Sequence, residues 1–144
     1  MFMKERTAVL IGHRDCFGLE EECVISALKE LIAQGVTDFL CGGQGNFDYL
    51  CARCIHQLRA DFPGIACQLV IPYPDFAIPS PELFDEVIYP GGLESLPRKA
   101  AIPARNRYMV LHAGHALCYI RRGWGGAART FALAQHQGLH LLQL

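Results

Sequence analysis

The sequence predicts an α/β fold: a Rossmann-like, mostly parallel sheet with helices on both faces, in a single domain over residues 1–144. Two observations carry this prediction. Short apolar runs alternate with segments of helical periodicity, and three of the runs are followed directly by a glycine-bearing turn. In a parallel sheet such turns all lie at the carboxyl edge, where α/β proteins bind their ligands. A helix start after each turn offers free N–H groups, so the expected ligand is anionic, with a phosphate the leading choice.

The first half of the chain contains two of these strand, turn and helix units. Gly12-His13-Arg14 follows the first strand, and Gly42 to Asp48 follows the second. Cys23 falls on the predicted buried stripe of the first helix, which Gly35 ends. The expected elements are a strand at 7–11, a helix at 19–34, a strand at 38–41, a helix at 46–61 capped by Asn46, and a strand at 66–71.

The second half contains the third unit, in which Arg121 to Gly126 forms the glycine-bearing turn. The expected elements of this half of the chain are a strand at 86–89, a helix at 104–113 with Pro103 in its first turn, a strand at 116–120, a helix at 125–137 and a strand at 139–142. Residues 72–103 hold seven of the eight prolines. This region is either a lid or binding loop over the site or a packed surface excursion, and the sequence leaves both open.

Composition narrows the class of protein. The net charge of −1 lacks the basic excess typical of proteins that bind a long nucleic-acid backbone, which disfavours nucleic acid as a partner. No apolar stretch reaches the ~20 residues that cross a bilayer, so no membrane partner is expected. The first residues do not resemble a signal peptide, and we therefore expect a cytoplasmic location.

Seven cysteines are present, and an odd count in a chain of this size favours free thiols in a reducing compartment. Cys51 and Cys54 have the CxxC spacing, with His56 nearby, but no second ligand pair stands at a spacing suited to zinc. A thioredoxin-like pair would begin its helix, whereas this pair falls in the second turn. We expect core packing for most cysteines, with no metal and no cofactor.

Four motifs, in family order, resemble those of the SLOG superfamily, the Rossmann-like group that includes DNA-processing protein A and the Lonely-guy proteins. Residues 7–14 resemble its strand-then-GHR opening, and residues 42–48 its GGA-x-G-x-D turn. Residues 105–110 resemble the RN-x-x-MV helix of its small members, and residues 125–130 their GGT-x-x-T turn. The resemblance implies a nucleotide or nucleotide-derived small-molecule ligand at the strand ends and homo-oligomeric assembly.

Two of the turns depart from the family pattern. The Lonely-guy phosphoribohydrolases carry a PGG-x-GT-x-x-E turn with a catalytic glutamate, and here Ala127 and Thr130 stand where that threonine and glutamate fall. Phosphoribohydrolase activity is therefore in question. Gln44 and Asn46 are more polar than the family's usual residues in the second turn, which can alter the choice of ligand.

Several of the residues in these motifs have two readings. Asp48 either accepts hydrogen bonds from a ribose hydroxyl or orients water, which makes it the candidate catalytic residue, or it only caps a helix. Arg105 and Arg107 cannot share a helix face, so one is expected on a phosphate and the other on a carboxylate such as Glu94 or a partner subunit; otherwise both are solvated. The expected ligand-binding residues are Gly12, His13, Arg14, Gly42, Gly43, Gln44, Gly45, Asp48, Arg105, Arg107, Gly123, Gly125, Gly126 and Thr130.

Three functions remain open from the sequence. The first is a cytoplasmic binder or sensor of a nucleotide-like ligand, because no complete nucleophile and base set is visible. The second is a nucleotide N-glycosidic hydrolase, with Asp48, Asp75 or Glu82 in place of the missing glutamate. The third is an accessory protein that binds single-stranded DNA, which the near-zero net charge disfavours.

Overall fold

The computed structural model describes residues 2–144 and contains one sheet of six parallel strands. The order across the sheet is β4-β3-β2-β1-β5-β6. The strands are β1 (Thr7–Gly12), β2 (Asp38–Cys41), β3 (Ala66–Val70), β4 (Glu86–Ile88), β5 (His115–Tyr119) and β6 (His140–Gln143). The α-helices are α1 (Glu21–Ala33), α2 (Asn46–Leu58), α3 (Arg98–Leu111) and α4 (Gly126–His136). The Rossmann-like α/β prediction is confirmed.

The alternation of side chains along β1 places helices on both faces of the sheet. Leu10 packs in a core with α1 and α2, while Val9 and Ile11 pack in a second core with α3 and α4. Successive side chains of a strand point to opposite faces, and every strand between two helical layers must therefore be apolar on both sides. Burial of Thr7 through Ile11 follows from that position.

The carboxyl edge of the sheet contains a topological switch point. From β1 the chain adds strands outward to β4, then crosses back to place β5 on the other side of β1. The carboxyl edge beside such a switch point is the usual ligand position in open α/β sheets.

Helix α3 differs from its predicted bounds. It begins at Arg98 instead of residue 104, so Pro103 is an interior residue and Arg105 lies in the middle of the helix. Proline at this position removes the N–H that would pair with the Lys99 carbonyl. Pro103 is exposed, so water can replace the lost hydrogen bond, and the helix tolerates it.

Two smaller expectations are also wrong. Asn46 is the first residue of α2 and does not cap it, because Gly45 occupies the cap position with φ 94°. The side-chain amide of Asn46 donates to the Cys16 carbonyl instead. Cys23 is exposed on α1, so it lies outside the core, whereas the other six cysteines are buried.

The proline-rich segment between β3 and α3 contains β4 and two short 3₁₀ helices. Arg98 at the start of α3 donates to both carboxylate oxygens of Asp75 at 2.9 Å and lies 3.8 Å from the centroid of the Tyr73 ring. These contacts join the segment to α3. Within residues 2–144, no helix is long and apolar enough to cross a membrane.

Candidate functional site

A cavity of about 410 Å³ opens at the carboxyl edge of the sheet, beside the switch point. Its floor is formed by the ends of β1 and β2, and its walls by α3 and the first turn of α4. The lining residues are Leu10, Ile11, Gly12, His13, Arg14, Gly42, Gln44, Asp48, Lys99, Ile102, Pro103, Arg105, Asn106, Met109, Arg122, Gly126, Ala127, Arg129 and Thr130.

The cavity concentrates positive charge in a protein that is nearly neutral. Five of the thirteen lysines and arginines line it, against one of the fourteen acidic residues, Asp48. The basic residues are Arg14, Lys99, Arg105, Arg122 and Arg129. Among residues 2–144, Arg14, Lys99 and Arg129 form no salt bridge. Like charges in a concave site with low-dielectric walls focus an attractive field on an anion.

Arg105 is the most buried charged side chain in the cavity wall, at 1% exposure. Its Nη1 donates to the carbonyl oxygens of Gly42 and Val70, each at 2.8 Å, and its Nη2 donates to Gln44 Oε1 at 2.6 Å. Its Nε donates to Asn106 Oδ1 at 2.8 Å. Because a guanidinium has five N–H donors, four of them are used within the protein. Arg105 therefore ties α3 to the ends of β2 and β3.

Asp48 lies in the first turn of α2 and is 7% exposed. Its Oδ2 accepts a hydrogen bond from the Gln44 backbone N–H at 3.0 Å. Burial raises the pKa of this carboxyl to about 6, against the opposing effects of the Gln44 hydrogen bond and of Arg105 and Arg14. A carboxyl group with a pKa near 6 can accept and donate a proton at neutral pH, which general acid–base chemistry requires. The carboxylate therefore holds the turn before α2, and α2 has no side-chain cap at its cap residue Gly45.

His13 is buried at the end of β1, and its Nε2 accepts a hydrogen bond from the Arg121 backbone N–H at 2.9 Å. An Nε2 that accepts must be unprotonated, so the proton of the neutral ring is on Nδ1. Burial, followed by the positive charge of Arg122, lowers the pKa of His13. His13 thus joins the loops that follow β1 and β5 as a neutral ring.

The first turn of α4 borders the cavity without a side-chain cap. Gly125 holds the cap position, and Gly126 and Ala127 begin the helix, so their N–H groups have no helical acceptor. The Thr130 hydroxyl donates to the Gly126 carbonyl at 2.9 Å. A Cβ added at Gly126 would meet no atom within 4 Å. Free backbone donors and the positive end of the helix dipole favour an anion here.

Two glycines of the second turn have structural roles. Gly45 has φ 94° and packs against the backbone of Arg14, which leaves no room for a side chain and brings the first two turns together. Gly43 has φ 67°, and a Cβ there would lie 2.6 Å from Leu69 Cδ1. Both positions require glycine for the fold itself.

The structure brings together nine of the fourteen expected ligand-binding residues. Gly12, His13, Arg14, Gly42, Gln44, Asp48, Arg105, Gly126 and Thr130 line the cavity. Gly43, Gly45, Arg107, Gly123 and Gly125 do not. Arg107 is exposed on α3, away from Arg105, as the two-residue spacing predicts. Of the three acids considered for catalysis, Asp48 lines the cavity, whereas Asp75 pairs with Arg98 and neither it nor Glu82 lines the site.

Three basic lining residues, Lys99, Arg122 and Arg129, are absent from the expected set. Lys99 lies in the part of α3 that the sequence predicted to be loop. Helical periodicity was therefore not applied to it and did not predict that its side chain faces the cavity. Arg122 and Arg129 lie within the third turn and the helix after it, and their basic character next to those glycines was the available signal. Within residues 2–144, no group of three or more His, Cys, Asp or Glu side chains is arranged to hold a metal ion.

No family model and no curated protein matches the sequence. Among solved structures, DNA processing protein A from Helicobacter pylori superposes with a TM-score of 0.68 at 18% identity, over 97% of this chain and 65% of that one. DNA processing protein A from Streptococcus pneumoniae gives 0.66 at 19% identity, over 95% and 49%. The structural genomics target TM1055 gives 0.60 at 14% identity, over 96% and 72%.

These likenesses show the fold, which agrees with the Rossmann-like fold that the motif resemblance implied. The chain spans about two thirds of the Helicobacter pylori protein it matches and about half of the Streptococcus pneumoniae one. The Helicobacter pylori structure is that of a protein with a single-stranded DNA binding mode.

Proposed function

We propose that this chain binds a nucleotide or nucleotide-derived small molecule in the cavity at the carboxyl edge of its sheet, as a binder or sensor. The observation that carries the proposal is the charge of the cavity. Five basic side chains and one carboxylate line it in a chain whose net charge is −1. A phosphate is the biological anion that best suits a helix start beside arginines.

The phosphate is assigned to the first turn of α4. The N–H groups of Gly126 and Ala127 supply backbone donors, and Arg14, Lys99 and Arg129 supply charge without a competing salt bridge from any residue in the described range 2–144. Most of the Arg105 donors are already used within the protein, so its role at this site is indirect. It fixes the positions of Gly42 and Gln44 through hydrogen bonds. Asp48 is the one lining acid and is the natural acceptor for a ribose hydroxyl.

A nucleotide N-glycosidic hydrolase is the second candidate, and the position of Asp48 favours it. This carboxyl lines the cavity with a pKa of about 6, so it can exchange a proton at neutral pH. The residue in the position of the family glutamate, Thr130, has a neutral hydroxyl that donates to the Gly126 carbonyl. The rate of base release separates this candidate from the first.

Binding of single-stranded DNA is the third candidate, because the Helicobacter pylori neighbour has a single-stranded DNA binding mode. The basic cavity supplies local positive charge for a backbone despite the near-neutral net charge. The test is the retention of a radiolabelled thymidine oligonucleotide at salt concentrations from about 50 to about 200 mM. Binding that weakens steeply over this range would favour this candidate over a mononucleotide binder.

A thermal-shift screen against AMP, GMP, ADP-ribose and NAD tests the leading candidate. A ligand at about 100 times its Kd stabilises the folded protein by about 2.7 kcal/mol, which raises the Tm of a chain of this size by roughly 5–10 °C. Unphosphorylated adenosine serves as the control and is expected to give no shift. We also propose that the protein is cytoplasmic and forms a homo-oligomer. Sedimentation of the purified chain tests the homo-oligomeric assembly.

A further inference from the structure

Trp124 is the single tryptophan of the chain and is 69% exposed. It lies in the loop between β5 and α4, two residues after Arg122 and two before Gly126, both of which line the cavity. Trp124 itself is not a lining residue and adjoins the cavity through these two neighbours in the chain. A large aromatic side chain left in solvent beside a cavity gains most by covering an apolar ligand surface. The side chain therefore calls for a ligand group with an aromatic face.

One face of the indole is already supported. The Arg122 guanidinium lies 4.3 Å from the ring centroid of Trp124, a cation–π arrangement. The Arg122 Nη1 in turn donates to both carboxylate oxygens of Asp15 at 3.1 Å, which joins the loops after β1 and β5. The Arg122 hydrogen bond lowers the pKa of Asp15, so the carboxylate stays charged. The indole is thus held by Arg122 on one side and open on the other.

We infer that Trp124 is the platform on which the aromatic base of the ligand stacks. This inference rests on the proposed function, which assigns the phosphate to the start of α4. Trp124 lies two residues from that start. Stacking on an aromatic side chain is tolerant of base identity because every base has a π face. Trp124 thereby selects for an aromatic group over a sugar phosphate alone.

Phe17 is the other strongly exposed aromatic at this edge, at 75%, in the loop after β1. Among residues 2–144 it has no aromatic or cationic partner at stacking distance. It therefore lacks the support that orients Trp124. Phe17→Leu is a matched control for Trp124→Leu, because both substitutions remove an exposed aromatic ring from a loop at the carboxyl edge of the sheet.

The experiment uses the fluorescence of Trp124 in the full chain. Titration with AMP is expected to quench it, whereas ribose 5-phosphate, which has the phosphate and sugar without a base, binds without quenching. Trp124→Leu is expected to weaken AMP about 5- to 150-fold and to leave ribose 5-phosphate affinity unchanged in calorimetry. Trp124→Phe should restore most of the loss, and Phe17→Leu should bind AMP like the native protein.

The outcomes separate this inference from the proposed function. If ribose 5-phosphate binds and Trp124→Leu binds AMP as tightly as the native protein, stacking on Trp124 is overturned and the phosphate site stands. If the loss follows Phe17→Leu instead, the platform is Phe17 and the inference is wrong. If neither AMP nor ribose 5-phosphate binds the native protein, both proposals fail.

Discussion

Arg105 and Gly42 lie 63 residues apart in the sequence and are joined by a 2.8 Å hydrogen bond from the guanidinium Nη1 to the carbonyl oxygen. The same Nη1 donates to the Val70 carbonyl. Carbonyls at the carboxyl ends of parallel strands have no strand partner beyond the edge, and a buried carbonyl must be hydrogen bonded. Arg105 satisfies two of these carbonyls at once, so the first role of its side chain is to stabilise the wall of the cavity.

Replacing Arg105 with alanine is therefore expected to destabilise the fold. The substitution leaves the Gly42 and Val70 carbonyls buried without donors, at a cost of about 2–5 kcal/mol in the free energy of unfolding. Urea denaturation measures the effect. Arg107→Ala, on the exposed side of the same helix, is the control and should change the value by no more than about 0.5 kcal/mol. Equal midpoints for the two variants would show that Arg105 is not a tether.

Asp48 is expected to make stability fall as the pH rises through the interval from about 4 to 6. Its folded pKa of about 6 lies above the ordinary 3.8, so the folded state binds the proton more tightly than the unfolded state. The charged carboxylate thus opposes folding above pH 6. Asp48→Asn keeps an acceptor for the Gln44 N–H and removes the charge. We expect it to raise the free energy of unfolding at pH 7.5 by on the order of 2 kcal/mol.

The pH dependence of that gain is the decisive part of the measurement. By pH 4 the native carboxyl is protonated in the folded state, so the difference between Asp48→Asn and the native protein should largely vanish. Asp61→Asn, which removes a carboxylate at an exposed position after α2, is the control for the change in net charge. A gain that is equal at pH 4 and pH 7.5 is incompatible with a raised pKa at Asp48.

Much of the framework was predictable because it depends on local signals. Runs such as Ala8 to Ile11 and Ala116 to Cys118 are apolar on both faces, as a doubly covered parallel strand requires. The start of α3 was not predictable from Pro103, because proline is common in a first helical turn yet here occupies an exposed interior position. Because the helix begins earlier than predicted, the sequence analysis also did not identify Lys99 as a cavity residue.

The burial of Arg105 depends on contacts that no local pattern contains. Two of its acceptors are the Gly42 carbonyl just after β2 and the Val70 carbonyl at the end of β3, and an arginine in a polar helical stretch is normally solvated. The glycines of the second turn pose the reverse case. Their spacing correctly located the edge, but Gly43 and Gly45 are required by Leu69 and by the Arg14 backbone, which belong to other strands and loops.

Gly126 offers a direct test of the anion site on α4. A Cβ added there meets no atom within 4 Å, so the fold should persist with valine at this position, but its side chain would cover the N–H groups that face the cavity. We expect Gly126→Val to weaken AMP binding about tenfold or more, equivalent to about 1.4 kcal/mol, with an unchanged urea midpoint. Gly64→Val, also in open space but away from the cavity, is the control. Native affinity in Gly126→Val would remove the α4 N–H groups from the site.

Release of free base from AMP or GMP is expected to be slow or absent. Thr130 cannot supply the carboxylate that assists departure of the base, and general acid–base help is worth about 10²–10⁴-fold in rate. Chromatography of the products measures it. Rapid hydrolysis that is lost in Asp48→Asn and kept in Thr130→Ala would establish that Asp48 had taken over the role, and the hydrolase candidate would replace the binder.

Calorimetric titration of AMP into the native protein, Arg129→Ala and Arg107→Ala tests the central claim most directly. Arg129 lines the cavity next to the start of α4 and forms no salt bridge within residues 2–144, whereas Arg107 is equally charged and does not line the cavity. Loss of a charge-assisted hydrogen bond to phosphate is worth about 1.5–3 kcal/mol. We therefore predict saturable binding to the native protein, the same affinity for Arg107→Ala, and an affinity about 10- to 100-fold weaker for Arg129→Ala. Equal affinities for all three proteins, or no binding to the native chain, would contradict a phosphate site in this cavity.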